Sequence, residues 1–248
     1  MDMTSLTITG SRLEALAARP TLDFPVLKDV RVHFLSLTAC AKREPELLNL
    51  LSASEQETAL QIKSFDRRIR FIASRAMLRE ALTTFTSRKV GRNEWVFDTG
   101  AYGKPRVLFP DVPAPKFSIS YTGEIMVIAV SQKFELGVDL ETFPPVTDRD
   151  IPWQVLSSAE RRSVQALPHG EQFMEFLRLW TLKEAYTKYY GMGAALDFRG
   201  VQVDLDPLQA TTTEARNPRL ADPMLHQQLL TIGNQTLVFA LAAGRPRE

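Results

Sequence analysis

The sequence predicts an α+β fold of two similar lobes. Three observations carry it: a long helix-period stripe in the first half, strand-like runs around it, and the same order of helix with strands again in the second half. On this reading residues 1–134 form an N-terminal lobe and residues 135–248 a C-terminal lobe. A chain of 248 residues is long for one small domain and short for two ordinary ones, which fits one body with two lobes.

Composition narrows the classes. Hydrophobic residues at 44% and charged residues at 24% are those of a globular protein with ample core material. With 30 Lys and Arg against 29 Asp and Glu, the net charge of +1 supplies no global field toward nucleic acid or a membrane, so any anion site must be local. The single cysteine, Cys40, excludes an internal disulfide and a multi-cysteine metal site, and suits a reducing compartment. Residues 1–20 lack the apolar core of a signal peptide, and no run approaches the roughly 18 apolar residues of a membrane span. A cytoplasmic protein is expected.

In chain order, Ser11 to Ala18 reads as a short helix ended by Pro20, and Val30 to Leu37 alternates as a strand with His33 on its surface. Ser52 to Phe85 reads as one long helix or a broken pair, because Ile62, Phe65, Ile69, Ile72, Ala76, Leu78, Leu82 and Phe85 recur near a period of 3.6. The other face carries Arg67, Arg68, Arg70, Arg75 and Arg79. Guanidinium forks match phosphate oxygens, so this ridge suits an anion, although a solvated helix face is the simpler account of the segment alone.

Trp95-Val96-Phe97, a turn at Asp98-Thr99-Gly100 and Tyr102-Gly103-Lys104-Pro105 read as strand, turn and strand. After the connection through Pro110, Pro113 and Pro115, the residues Ser118, Ser120 and Thr122 share one side of an extended segment, as donors to phosphate or as a polar strand edge. Ile125 to Ser131 is a further strand. Ser157-Ser158-Ala159-Glu160 has the form of a capping box, so Glu160 is either a cap or an additional acid near a metal. Pro168-His169-Gly170 separates this helix from a longer one stopped near Tyr190 by Gly191 and Gly193. Val201 to Leu205 and Leu237 to Ala242 read as strands, Thr211 to Pro223 as a polar insertion, and Arg245 to Glu248 as a loose tail.

The stretch from Glu135 to Lys188 carries the chemistry. In Glu135-Leu136-Gly137-Val138-Asp139-Leu140-Glu141, Val138 and Leu140 alternate with Asp139 and Glu141, which aims both carboxylates from one face of a half-buried strand. In the helix through Phe173, Phe176, Leu177 and Trp180, Glu184 and Lys188 lie at i and i+4 on one side. Three carboxylates and a lysine so arranged suit Mg²⁺ and an anionic phosphate, with phosphate oxygens filling positions that the protein leaves open. Taken singly, each feature also fits a solvated strand face or a surface ion pair. Their combination points to the cation and the phosphate.

These motifs, in order and spacing, resemble one family: the 4'-phosphopantetheinyl transferases of the surfactin-synthetase-activating (Sfp) type. The pieces are Tyr102-Gly103-Lys104-Pro105, Phe117-Ser118-Ile119-Ser120, Leu136-Gly137-Val138-Asp139-Leu140-Glu141, and Leu179-Trp180-Thr181-Leu182-Lys183-Glu184-Ala185 with Lys188. They fall between Ile62 and Val203. The resemblance implies a monomeric pseudo-dimer, each lobe a small antiparallel sheet packed with helices, with coenzyme A in the cleft between them. It implies transfer of the phosphopantetheine arm of coenzyme A to a serine of an acyl or peptidyl carrier protein, with release of adenosine 3',5'-bisphosphate. Position by position, Asp139, Glu141 and Glu184 are implied as Mg²⁺ ligands. Glu184 is also implied as acceptor of the serine proton, and Lys188 as the group that stabilises or protonates the leaving phosphate. Arg70 or Arg75, together with Lys104, Ser120, Tyr121 and Lys188, is implied to hold the coenzyme's phosphates.

One position departs from the family. Histidine usually follows the second serine, where this chain has Tyr121, which donates one hydrogen bond but carries no positive charge near neutral pH. Two rivals remain on the sequence alone: a magnesium-dependent phosphoesterase, and a non-enzymatic binder of carrier proteins with the same fold.

Overall fold

The computed structural model describes residues 4–6, 27–87, 89–99, 105–108, 114–144, 150–192, 197–212 and 220–246. In chain order these form β1 (Thr4–Leu6), β2 (Arg31–Ser36), α1 (Leu37–Ala41), α2 (Glu44–Leu48), α3 (Ala53–Gln61), α4 (Phe65–Phe85), β3 (Phe97–Thr99) and β4 (Pro105–Val107). There follow β5 (Lys116–Thr122), β6 (Ile125–Ser131), β7 (Glu135–Phe143), α5 (Ser158–Gln165), α6 (His169–Tyr190), β8 (Val201–Leu205), β9 (Leu208–Thr212), β10 (Met224–Ile232) and β11 (Gln235–Gly244).

The class is α+β, as expected, in four layers of helix, sheet, sheet and helix. The N-terminal sheet has the order β2-β6-β5 and the C-terminal sheet the order β1-β10-β11-β7. Each lobe lays its long helix, α4 or α6, on the outer face of its own sheet. The inner faces meet in a shared core, where Val32, Phe34, Val127 and Ala129 pack with Leu136, Val138, Leu140, Phe239 and Leu241. The central strands β6 and β11 are covered on both faces, which explains why Ile125 to Val130 and Leu237 to Ala243 read as near-continuous apolar runs.

Serines set the helix boundaries. Ser52 starts α3 with a capping box to Glu55, and Ser64 accepts from the Arg67 N–H to start α4, so the stretch from Ser52 to Phe85 is a broken pair. At the seam between the sheets, hydroxyls take the place of ladder partners. Ser118 Oγ accepts from the Val138 N–H at 3.0 Å, and Thr122 Oγ1 accepts from the Thr142 N–H at 3.1 Å. The polar side of β5 is therefore a strand edge turned onto β7.

Other expectations change. β9 begins before the stretch assigned to a polar insertion and takes in Thr211 and Thr212, and β10 follows that stretch; neither strand is evident from the pattern, because β10 is only partly covered on both faces and carries His226, Gln227 and Gln228 at its centre. β1 pairs in parallel with β10, so the start of the chain joins the sheet of the second lobe. Arg245 and Pro246 are held, the first over the Phe134 ring at 5.7 Å and the second in a bridge to Leu220. The expected helix from Ser11 to Ala18 lies outside the described residues.

Candidate active site

α6 crosses β7 at Gly137 closely enough that no side chain fits between them. A Cβ built on Gly137 would fall 1.9 Å from the Ala185 carbonyl oxygen and 2.3 Å from the Tyr189 nitrogen. This approach brings the helix row Trp180, Glu184 and Lys188, spaced by four, onto the strand row Gly137, Asp139 and Glu141, spaced by two. Asp139 therefore does not face solvent as a half-buried strand alone would have it: it is 3% exposed, because α6 covers that face, while Glu141 is half-buried.

A polar cluster sits where the lobes meet. Lys188 Nζ donates to Asp139 Oδ1 at 2.6 Å and to Ser120 Oγ at 2.9 Å, while Ser120 Oγ donates to Asp139 Oδ1 at 2.7 Å. Ser120 comes from the first lobe, Asp139 and Lys188 from the second. About two turns of helix away, Trp180 Nε1 donates to Glu141 Oε1 at 3.1 Å and Thr122 Oγ1 to Glu141 Oε2 at 3.3 Å.

The charges in the cluster do not balance. Burial first, then the neighbouring Asp139 and Glu141 carboxylates, push Glu184 up to about 7 against the opposing pull of Lys188. Burial and Asp139 also raise Glu141, although Trp180, Thr122 and Lys188 favour its charged form. Asp139 Oδ2 is buried without a hydrogen-bond partner, an arrangement that costs free energy unless something else meets the oxygen.

Three oxygen-donor acids with excess negative charge and one orphaned carboxylate oxygen fit a hard divalent cation in chemistry. They are not drawn into a closed shell: among the described residues no three His, Cys, Asp or Glu side chains form a metal-holding group. Asp139, Glu141 and Glu184 are thus electrostatic neighbours, with Lys188 already on one oxygen of Asp139.

The arginines of α4 do not form the continuous ridge that the sequence suggested. Arg79 is 2% exposed and bonds Glu55 Oε2 at 2.8 Å and the carbonyls of Arg92 and Trp95 at 2.8 and 2.9 Å, so it is a core strut. Arg68 bonds Glu44 at 2.7 Å, and Arg75 lies 3.8 Å from Glu55 over the Phe71 and Phe97 rings, where burial lowers its pKa. Positions 68, 75 and 79 share the helix side that faces α2 and α3, whose acids neutralise them. Arg70 stands apart: its guanidinium lies over the ring of Tyr121, 4.7 Å from the centroid. Lys104 lies outside the described residues.

Glu160 is a cap and more. Its carboxylate accepts from the Ser157 N–H at 2.7 Å and the Val203 N–H at 2.8 Å, and pairs with the fully buried Lys183 at 2.7 Å. Sequence reasoning missed two contributors, Gly137 and Trp180. The i, i+4 spacing of Trp180 to Glu184 was a usable signal for the second; nothing in a lone glycine announces a helix crossing.

The profile of the 4'-phosphopantetheinyl transferase superfamily matches residues 135–241. The chain is 33% identical over 177 residues to the 4'-phosphopantetheinyl transferase pptA of Paxillus involutus, covering 63% of this chain and 66% of that protein. It is 26% identical over 184 residues to the 4'-phosphopantetheinyl transferase Sfp of Bacillus subtilis (strain 168), covering 74% of each. A solved structure described as an ACPS–CoA complex of Chronobacterium ammoniagenes aligns over 46% of this chain and 98% of that one, at 20% identity and a TM-score of 0.30, too slight a likeness to bear on the whole fold. Among the described residues no helix is long and apolar enough to cross a membrane.

Proposed function

Because residues 135–241 belong to the 4'-phosphopantetheinyl transferase superfamily, we propose that the protein moves the 4'-phosphopantetheine arm of coenzyme A to a serine of an acyl or peptidyl carrier protein. The product nucleotide is adenosine 3',5'-bisphosphate, and the reaction depends on Mg²⁺. The observation that carries the reading is the cluster at the lobe seam: Lys188 on Asp139 and Ser120, beside a Glu184 whose carboxyl titrates near neutrality.

The carrier's serine oxygen attacks the phosphorus that bears the pantetheine arm, and its proton passes to Glu184. Glu184, raised to about 7 by burial and its acidic neighbours in the metal-free protein, would be ionised beside a bound cation, and an ionised carboxylate within reach of the serine can take its proton. The bond from that phosphorus to the bridging oxygen breaks. The oxygen leaves with the adenosine bisphosphate, and the Lys188 ammonium meets its developing charge. Asp139 holds the Lys188 amine in place through the 2.6 Å contact. Mg²⁺, when bound by Asp139, Glu141 and Glu184, supplies charge neutralisation on the pyrophosphate. Arg70, Ser120 and Tyr121 border the coenzyme, with Lys104 assigned to the same phosphates. Ser120, Asp139, Glu184 and Lys188 all come from one chain, which supports action as a monomer, and a buried free Cys40 suits a reducing cytoplasm.

The test is to follow nucleotide release and carrier consumption together. Stoichiometric appearance of both, abolished by EDTA or by replacing the carrier serine with alanine, is the expected result. Hydrolysis of coenzyme A without any carrier would favour the phosphoesterase, and carrier binding without nucleotide release the non-enzymatic binder.

A further inference from the structure

We infer that the turn at Phe198–Gly200 is a positioning element for Glu141, acting through the Trp180 indole, and that the buried Lys183–Glu160 pair anchors that turn. It rests on the proposed role of Glu141 as a Mg²⁺ ligand and adds what aims its carboxylate. Asp139 is fixed by burial and by Lys188 and Ser120. Glu141 is half-buried on a longer side chain, so its orientation depends on its donors, and Trp180 Nε1 is the donor on Oε1. The indole is itself walled on two sides. Phe176 stacks on it from the same helix, ring centroids 6.4 Å apart, and Phe198 packs against it at 5.0 Å. Phe176 is buried in the core, so the first wall is set by α6 itself; the second depends on where the turn stands.

A surface turn does not place itself. Asp197 and Arg199, on either side of Phe198, are exposed and pair with each other at 2.8 Å, which shapes the turn without tying it to the body of the lobe. Lys183 ties it. Fully buried, its Nζ donates to the Phe198 carbonyl at 2.7 Å and to the Val201 carbonyl, and it pairs with Glu160 at 2.7 Å. An ammonium has three hydrogens, and all three are committed. Glu160 accepts in turn from the Ser157 and Val203 N–H groups, which fixes it to the start of α5 and to β8. Burying an ion pair rarely adds stability over apolar side chains of the same size; what it supplies is direction, and here the direction falls on two carbonyls that bracket the turn. Lys183 precedes Glu184 in the chain, yet its amine serves Phe198, and through Phe198 and Trp180 it reaches Glu141.

The test reads the indole N–H directly. The chain has three tryptophans, so the signal that disappears from the nitrogen-15 indole spectrum in Trp180→Phe is that of Trp180. Trp95, whose indole donates to Thr83 at 2.9 Å in the core of the first lobe, is the internal reference for general loosening. In metal-free protein, Phe198→Ala is expected to speed water exchange of the Trp180 N–H by about tenfold with Trp95 unchanged, and Phe198→Tyr, which keeps the ring, to stay within about twofold of the natural protein. The double variant Lys183→Met/Glu160→Gln leaves no lone buried charge, keeps an acceptor for the Ser157 and Val203 N–H groups, and is expected to match Phe198→Ala. Mg²⁺ affinity, measured by calorimetry with coenzyme A present, is expected to weaken about threefold to tenfold in Phe198→Ala, and Phe198→Ala is expected to add nothing to the loss in Glu141→Gln. An unchanged Trp180 exchange rate in Phe198→Ala would overturn the inference, as would an equal rise at Trp95 or a Phe198→Tyr effect as large as that of Phe198→Ala. A folded Lys183→Met/Glu160→Gln protein with the natural exchange rate would overturn the anchoring by the pair, and the Phe198 variants decide the role of the turn even if the pair cannot be replaced without unfolding. A natural protein with no Mg²⁺ affinity would overturn the proposed metal site, while the indole rates would still decide whether the turn holds the Trp180 donor.

Discussion

Lys188 Nζ lies 2.6 Å from Asp139 Oδ1, tying the end of the long helix of the second lobe to its edge strand at the point where both lobes meet. The pair is unequally sheltered. Asp139 is nearly inaccessible while Lys188 keeps about a quarter of its side chain exposed, so the amine can meet a ligand without leaving the carboxylate.

Asp139→Asn keeps shape and removes charge. It is expected to lower transfer at least about a hundredfold and to cost about 1–3 kcal/mol of stability, because the hydrogen bond to Lys188 loses its charge assistance and a buried acceptor is altered. Urea denaturation and steady-state rates check both numbers. Full activity in this variant would remove Asp139 from the machinery.

Gly137→Ala tests the helix crossing. With backbone atoms of Ala185 and Tyr189 inside the space of a Cβ, the strand and α6 must separate, at an expected cost of about 1–3 kcal/mol or more. Transfer should fall further than stability explains, since Lys188 and Glu184 move with the helix. A variant as stable and active as the natural protein would show that the contact is loose.

Glu184 sets a pH dependence of known sign. Its folded pKa of about 7 lies above the ordinary 4.5, so the native state holds a proton that the unfolded chain releases. The stability it confers is fully present below about 4.5 and is lost as pH rises through about 7. Metal-free protein should therefore lose Tm across that window, and Glu184→Gln should flatten the slope. For transfer, the rate at low Mg²⁺ should rise through pH 7 as the base ionises, and saturating Mg²⁺ should move that rise to lower pH.

Trp180→Phe leaves the stacked ring with Phe176 but removes the donor to Glu141. A loss of about threefold to tenfold in kcat/KM with little change in Tm is expected, the size of one hydrogen bond. A matching loss in Glu141→Gln, not multiplied in the double variant, would place both on one path.

Much of this site was legible in the sequence, and the reasons are local. Alternation in Val138-Asp139-Leu140-Glu141 and the spacing of Glu184 to Lys188 are set by strand and helix periods, so the rows follow from chain geometry. How deep the rows lie does not. The burial of Asp139 depends on α6 crossing at Gly137, a tertiary contact with no periodic signature. The arginines of α4 misled for the same reason: five cations in thirteen positions look alike until α2 and α3 supply Glu44 and Glu55 to three of them. β10 was missed because a strand half-covered on both faces has no alternation to read.

The most direct measurement of the central claim is the intact mass of apo carrier proteins after incubation with the protein, coenzyme A and Mg²⁺, alongside an EDTA control and a carrier lacking its serine. The account predicts a gain of one phosphopantetheine arm on the serine-bearing carrier, absent in both controls. A protein that binds coenzyme A yet leaves every carrier at its starting mass would contradict it.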